Sequence, residues 1–122
     1  MKERKILIVD DEPNIVMSLE YAFKKKDFEV FIARDGTEAL EIAEKELPSV
    51  ILLDVMMPQL DGYETLRRLR QNIKLKETKV IFLSAKTKQA DIEKGKRLGA
   101  DDYMTKPFSI KKVIKSVEQM IA

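Results

Sequence analysis

Carboxylate side chains follow two apolar runs of the sequence. Residues 6–9 and 50–53 are short runs of mostly branched apolar side chains, typical of strands buried on both faces of a parallel sheet. Asp10 and Asp11 follow the first run, and Asp54 follows the second. Because reactive groups of open α/β sheets collect at the carboxyl ends of the strands, we expect these three acids to lie close together.

A hydroxyl and an amine are expected at the same edge of the sheet. Ser84 follows a third apolar run, residues 80–83, and Lys106 follows a short predicted strand at residues 102–105. Taken singly, such groups are usually a loop hydroxyl and a solvated charge. Their shared position at strand ends favours a common site with the three acids.

Together these groups favour phosphoryl transfer. Two carboxylates about 4 Å apart repel by about 4 kcal/mol at an effective dielectric of about 20, and a bound divalent cation would remove this repulsion. The chain contains neither histidine nor cysteine, so hard oxygen ligands select Mg²⁺ or Mn²⁺. A lysine would balance the charge of a phosphoryl group, a serine would hydrogen-bond it, and a carboxylate nucleophile would give an acyl phosphate.

The strands and helices that would position this site are predicted to form one α/β domain. Five apolar runs alternate with five helical patterns, and right-handed crossovers make this a doubly wound parallel sheet with helices on both faces. We expect residues 1–122 to form a single domain. Asp61 is predicted to cap the third helix and Ser109 the fifth. The second helix is expected to turn Leu47 inward, and residues 74–78 to form a polar linker.

The fourth helix, near residues 88–98, carries few apolar side chains. Its expected core contacts are Ala90, Ile92 and Leu98, and Gly95 interrupts it. Because few buried contacts imply low local stability, we expect this helix to be the element that moves most readily.

Composition and charge argue against several classes of protein. Lys and Arg number 23 and Asp and Glu 21, so the formal net charge of +2 argues against nucleic acid or a membrane as the main partner. No apolar run approaches the roughly 20 residues of a membrane span, and the charged residues 1–5 are unlike a signal peptide. With no cysteine for disulfides, we expect a cytoplasmic protein.

The sequence resembles a response-regulator receiver domain of two-component signal transduction, of the single-domain type found in chemotaxis and sporulation. The resemblance covers essentially the whole chain. It is carried by Ile-Leu-Ile-Val-Asp-Asp-Glu at residues 6–12, Leu-Leu-Asp-Val-Met-Met-Pro at residues 52–58 with Asp61-Gly62, Ser84-Ala85, and Lys106-Pro107-Phe108. The resemblance implies a flavodoxin-like sheet of strand order 2-1-3-4-5.

The resemblance also implies the phosphoacceptor and its metal. Asp54 is expected to accept a phosphoryl group from a phosphohistidine on a sensor histidine kinase or a phosphotransfer protein. Asp10, Asp11, Asp54 and the backbone carbonyl of Met56 are the implied ligands of Mg²⁺, for which Mn²⁺ can substitute. On this interpretation the chain is a phosphoacceptor signalling domain and promotes only its own phosphorylation and dephosphorylation.

Four further residues receive roles from the same resemblance. Lys106 pairs with the phosphoryl oxygens, and the bond between Lys106 and Pro107 is expected to be cis. Ser84 is expected to move to the phosphoryl group while Tyr103 turns inward, which makes these two residues the switch. Ser84 replaces the commoner threonine and keeps its hydroxyl.

Two surfaces are predicted to meet protein partners. The first helix carries more apolar surface than one core contact needs, so its residues Asn14, Ile15 and Ser18 are our hypothesis for kinase docking. The fourth helix, the Tyr103 strand and the last helix form the predicted output face towards a downstream target or effector domain. We expect either a stand-alone receiver or one cut from a longer regulator, with a slight preference for the former.

Other functions fit the sequence less well. A receiver-like interaction module that is never phosphorylated would be expected to lack an acid, the hydroxyl or the lysine, and all are present. A Mg²⁺-dependent phosphatase with an aspartate nucleophile needs an acid two residues further on, where Met56 stands. The four glycines form neither a P-loop nor a dinucleotide-binding turn.

Overall fold

A computed structural model describes residues 4–122 and contains a five-stranded sheet. Its strands are β1 (Lys5–Val9), β2 (Glu29–Ala33), β3 (Val50–Asp54), β4 (Lys79–Ser84) and β5 (Asp102–Thr105). Every neighbouring pair is parallel, and the order is β2-β1-β3-β4-β5. The predicted doubly wound, flavodoxin-like fold is therefore confirmed. Of the charged segment at residues 1–5, residues 1–3 lie outside the described part.

Five α-helices and one short 3-10 helix connect the strands. They are α1 (Pro13–Lys25), α2 (Gly36–Glu46), α3 (Gly62–Gln71), the 3-10 helix (Ile73–Leu75), α4 (Gln89–Arg97) and α5 (Ile110–Ile121). Within the described residues, each of these helices is too short or too polar to cross a bilayer.

The helices cover both faces of the sheet. Along β3, Ile51 and Leu53 belong to the core cluster shared with α2 and α3, whereas Val50 and Leu52 belong to the cluster shared with α1 and α5. All five residues of β3 are buried. This two-sided burial explains why the strand is almost uniformly apolar until it reaches Asp54.

The predicted helix caps are present. The Asp61 carboxylate accepts a hydrogen bond from the Glu64 backbone N–H at 2.9 Å, and the Ser109 hydroxyl accepts one from the Lys112 N–H at 3.4 Å. These bonds satisfy backbone donors that the first helical turn leaves unpaired. They fix where α3 and α5 begin, just after the loops that follow β3 and β5.

Three local predictions were wrong. Leu47 ends α2 in a left-handed conformation, with φ of 50°, and this turn before Pro48 leaves its side chain 51% exposed. Ala90 is exposed because the sheet-facing side of α4 is taken by Gly95. The segment 74–78 is not simply a polar linker, since the 3-10 turn buries Leu75.

Candidate functional site

The carboxyl ends of the central strands carry buried polar side chains. Asp10 follows β1, Asp54 ends β3 and Ser84 ends β4, and each is at most 3% exposed. Lys106 follows β5, and its ammonium nitrogen lies 3.0 Å from Asp10 Oδ2 and 3.6 Å from Asp54 Oδ2. The fold therefore brings the predicted lysine together with two of the predicted acids.

The acidic cluster differs in one member from the predicted set. Among the described residues, Asp10, Glu12 and Asp54 offer carboxylate oxygens that all lie within 4.8 Å of one another. Asp11 is exposed and lies outside this group. The sequence alone gives Glu12 no role in the site, but its side chain accepts a hydrogen bond from the Lys106 ammonium at 3.0 Å and makes no bond that caps α1. Its position directly after two aspartates and its longer side chain were the available signal.

The Asp54 carboxyl is held in an unfavourable environment for a charge. The pKa of Asp54 is raised from 3.8 to about 6, mainly by burial and secondly by the negative charge of the neighbouring Asp10. The Lys106 charge and a hydrogen bond from the Met56 N–H, at 3.3 Å, oppose this rise only in part. A group in this state is stabilised by any further positive charge that reaches it.

The Lys106 ammonium remains a cation in this cluster. Burial lowers the pKa of Lys106, but hydrogen bonds to Asp10 and Glu12 and the charges of Asp54 and Asp10 outweigh burial, so its pKa lies above the ordinary value. Its backbone N–H donates to the Ser84 carbonyl at 2.7 Å, and the Lys106–Pro107 peptide bond is cis. The amine therefore supplies a permanent positive charge beside two buried carboxylates.

Ser84 and Tyr103 both contact the start of the loop between β4 and α4. The Ser84 hydroxyl oxygen accepts a hydrogen bond from the Lys86 N–H at 3.0 Å, and the Tyr103 hydroxyl donates one to the Lys86 carbonyl at 2.9 Å. The Tyr103 side chain is 8% exposed. A displacement of Ser84 would thus act on the same backbone unit that holds Tyr103.

The loop after β3 folds back tightly onto the end of the strand. The Gly62 N–H donates to the Val55 carbonyl at 2.8 Å. A Cβ added at Gly62 would collide with the Asp54 carbonyl oxygen and lie 2.8 Å from the Val55 Cα. Glycine at this position therefore lets the start of α3 support the backbone of the candidate nucleophile.

A cleft lies beside the charged cluster, between α1 and the start of α5. It has a volume of about 590 Å³, and its lining residues include Asn14, Ile15 and Ser18 of α1 as well as Glu12 and Lys106. The three α1 residues predicted to dock a kinase are therefore adjacent to the site.

Replacing the buried acid should stabilise the metal-free protein at neutral pH. Because the pKa of Asp54 is raised in the folded state, the unfolded chain releases this proton first, and stability is lost as the pH rises from about 4 through 6. Asp54→Asn should therefore raise the free energy of unfolding at pH 7.5 by about 2–3 kcal/mol in the presence of a chelator. Urea unfolding at pH 7.5 and pH 4 measures this gain, which should shrink at the lower pH. An equal gain at both pH values would contradict this account.

Comparisons with known proteins agree on one family. The family described as "Response regulator receiver domain" matches residues 6–118. The alkaline phosphatase synthesis transcriptional regulatory protein PhoP of Bacillus subtilis (strain 168) is 48% identical over 118 residues, which cover 97% of this chain and 48% of that protein. The chain thus spans about half the length of this curated relative.

Solved structures share the same fold over nearly the full chain. The receiver domain of the Francisella response regulator 1452 is 38% identical, with a TM-score of 0.90 over 98% of this chain and 97% of that one. The Vibrio cholerae chemotaxis protein CheY4 is 31% identical, with a TM-score of 0.91 over 98% of this chain and 99% of that one. The receiver domain of the sensor histidine kinase PA1611 of Pseudomonas aeruginosa PAO1 is 29% identical, with a TM-score of 0.89 over 98% of both chains. That structure has a magnesium ion coordinated in its active site cleft.

Proposed function

We propose that Asp54 accepts the phosphoryl group. The premise is that this chain belongs to the response regulator receiver domain family and is the receiver of a two-component response regulator. The observation that carries this proposal is the position of the Lys106 ammonium, 3.6 Å from Asp54 and 3.0 Å from Asp10. Phosphoryl transfer depends mainly on positioning and charge stabilisation, and this cluster supplies both at a buried carboxylate.

The acidic cluster fits a divalent metal ion. The oxygens of Asp10, Glu12 and Asp54 lie within 4.8 Å of one another, and carboxylates are the ligands that Mg²⁺ prefers. We propose Asp10, Asp11, Asp54 and the Met56 carbonyl as the ligand set. The exposed Asp11 lies outside the group of three carboxylates, but its charge is near enough to contribute to the raised pKa of Asp54. A bound Mg²⁺, or Mn²⁺ in its place, would neutralise the carboxylates and the phosphoryl oxygens. The PA1611 receiver domain, which has a magnesium ion in its active site cleft, supports the choice of metal.

The transfer itself uses the Asp54 carboxylate as nucleophile. One carboxylate oxygen attacks the phosphorus of a phosphohistidine, the bond between phosphorus and the imidazole nitrogen breaks, and the electron pair leaves with that nitrogen. The product is an aspartyl phosphate. Lys106 balances its charge, and the Ser84 hydroxyl, which accepts rather than donates towards Lys86, can turn its hydrogen to a phosphoryl oxygen.

The added charge would drive a change of conformation. A phosphoryl group brings about two negative charges and three strong acceptors, which favour the arrangement in which Ser84 donates to it. Since Ser84 and Tyr103 both bind Lys86, they form the proposed switch, with α4, β5 and α5 as output face. Moving such a switch from 1:99 to 99:1 requires about 5.5 kcal/mol of differential stabilisation.

The proposed partners follow from this chemistry. The donor is a sensor histidine kinase or a phosphotransfer protein, and the recipient of the signal is a downstream protein or an effector domain. We propose that residues 1–122 form one receiver domain that is not itself a turnover enzyme and contacts neither nucleic acid nor membrane directly. Cytoplasmic localisation remains a prediction from composition.

A direct test supplies the chain with a small acyl phosphate and Mg²⁺. Mass spectrometry should detect a single added phosphoryl group that is lost in mild base, and chelation of the metal should prevent its addition. The absence of any reaction would instead favour an interaction module that is never phosphorylated. Rapid turnover of many phosphate esters would favour a phosphatase.

Docking of the kinase should be separable from the chemistry. Ser18 is exposed on α1 and lines the cleft beside Lys106. The assay uses a sensor kinase that phosphorylates the unsubstituted chain. With this kinase, Ser18→Arg should slow phosphorylation about tenfold, because a bulky charge would obstruct a docked surface. The rate with a small acyl phosphate should stay within about twofold. Glu41→Arg on the exposed side of α2 is the matched control, and equal loss with both donors would refute the docking face.

A further inference from the structure

Helix α4 makes few contacts with the hydrophobic core. Of its nine residues, all of them described, only Gly95 is buried, while Ile92 is partly buried. A Cβ added at Gly95 would lie 3.0 Å from ring carbons of Phe82 and Tyr103, so the helix backbone rests almost directly on these two rings. Contacts from outside α4 must therefore contribute to its position.

Tyr63 of α3 supplies several of these contacts. Its side chain is 6% exposed, and its hydroxyl donates a hydrogen bond to the Asp91 carbonyl in the first turn of α4 at 3.2 Å. The Lys94 ammonium of the same helix lies 4.4 Å from the centre of the Tyr63 ring, within the range of a cation–π contact. One side chain thus holds α4 at two points, by its hydroxyl and by its ring face.

Tyr63 is also connected to the proposed switch. Its ring packs edge-on against Phe82, with centroids 5.5 Å apart, and Phe82 lies 5.8 Å from the Tyr103 ring. Burial, and next the adjacent Tyr103, raise the pKa of Tyr63 well above its ordinary value, so its hydroxyl stays a donor at any physiological pH. Lys86, whose backbone binds Ser84 and Tyr103, also places its ammonium 5.8 Å from the Tyr63 ring.

We propose that Tyr63 is a positioning residue that fixes α4 against Tyr103 and so carries a rearrangement at Ser84 and Tyr103 to the output face. The inference rests on the proposed function for the rearrangement itself, but the hold on α4 exists in the unphosphorylated chain. When Tyr103 and Lys86 shift, the two contacts of Tyr63 to α4 are strained together. The helix then follows because the rest of it has few core contacts to retain it.

Hydrogen exchange of backbone amides tests this role with a conservative variant. Tyr63→Phe keeps the ring and removes only the hydroxyl. In the unphosphorylated protein, the amides of α4 should exchange about fivefold faster, as expected for the loss of one ordinary hydrogen bond, while those of α5 remain unchanged. The rate of phosphorylation from a small acyl phosphate should stay within about twofold. The change in α4 exchange on phosphorylation should fall to about half or less.

Two further variants separate positioning from packing. Tyr21→Phe removes a hydroxyl from an exposed tyrosine on α1 and should leave all of these measurements unchanged. Tyr63→Leu also removes the ring face and should loosen α4 more than Tyr63→Phe does. Unchanged α4 exchange in Tyr63→Phe, or equal acceleration in α5 and the strands, would overturn the proposal and leave Tyr63 as a core residue.

The two proposals fail in different ways. If the unsubstituted chain takes up no phosphoryl group, the proposed function and the coupling of Ser84 and Tyr103 to α4 are both refuted. Hydrogen exchange in the unmodified protein then still decides whether Tyr63 positions the helix. If phosphorylation proceeds but α4 responds equally with and without the Tyr63 hydroxyl, only the role of Tyr63 is refuted.

Discussion

Asp54→Asn is expected to abolish phosphorylation completely under conditions in which the unsubstituted chain gains one base-labile phosphoryl group. The amide has no negative oxygen to attack phosphorus, and the remaining acids of the cluster are not equivalent to it. Asp10 is tied to the Lys106 ammonium and to the Glu12 N–H, at 3.0 and 2.9 Å. Intact-mass spectrometry after incubation with a small acyl phosphate and Mg²⁺ measures the result.

A matched substitution controls for the loss of one carboxylate. Asp27 is exposed and has a φ of 65°, a conformation that asparagine also tolerates. Asp27→Asn should therefore keep full phosphorylation. A phosphoryl group retained by Asp54→Asn at the normal rate would identify another acceptor and reject the assignment of Asp54.

Gly62→Ala should be the most destabilising single-methyl change near the site. The new Cβ would meet backbone atoms of Asp54 and Val55, which cannot swing away as a side chain could. We expect a loss of about 3 kcal/mol in the free energy of unfolding and a fall in melting temperature of about 10 °C. Thermal unfolding followed by circular dichroism measures both, and the surviving folded fraction should also be phosphorylated more slowly.

Gly99→Ala separates steric collision from backbone strain. Gly99 has a φ of 105°, which an alanine adopts only with strain, but the nearest atom to an added Cβ is Arg70 Nε at 3.3 Å. This substitution should cost about 1–2 kcal/mol. If Gly62→Ala costs no more than Gly99→Ala, the close approach of α3 to the end of β3 is not what stabilises that loop.

The fold was predictable because its signals are local and repeated. Buried runs that end in Asp10, Asp54 and Ser84 mark three neighbouring strands, and their common direction brings the ends together. The caps at Asp61 and Ser109 needed only the identity of one side chain and its place before a helix. Such signals do not depend on how distant parts of the chain pack.

The errors arose where distant packing decides the outcome. Leu47 has the right spacing for the core, but a left-handed turn at the end of α2 directs it outward. The apolar side chain of Ala90 predicts a core position, but Ala90 is exposed. The backbone at Gly95 makes the contact with two aromatic rings instead, which the spacing of apolar residues cannot reveal. Glu12 joined the cluster through a lysine 94 residues away, and no local pattern encodes that pairing.

The side chains of β3 alternate between the two helical layers, and this alternation constrains the length of the strand as well as its composition. Val50 and Leu52 serve one helical layer, and Ile51 and Leu53 serve the other. Inserting or deleting one residue would exchange the two sets and rotate the terminal carboxylate away from the amine it faces. Evolution can therefore exchange one branched apolar side chain for another here, but the residue count between the start of the strand and the nucleophile must stay constant.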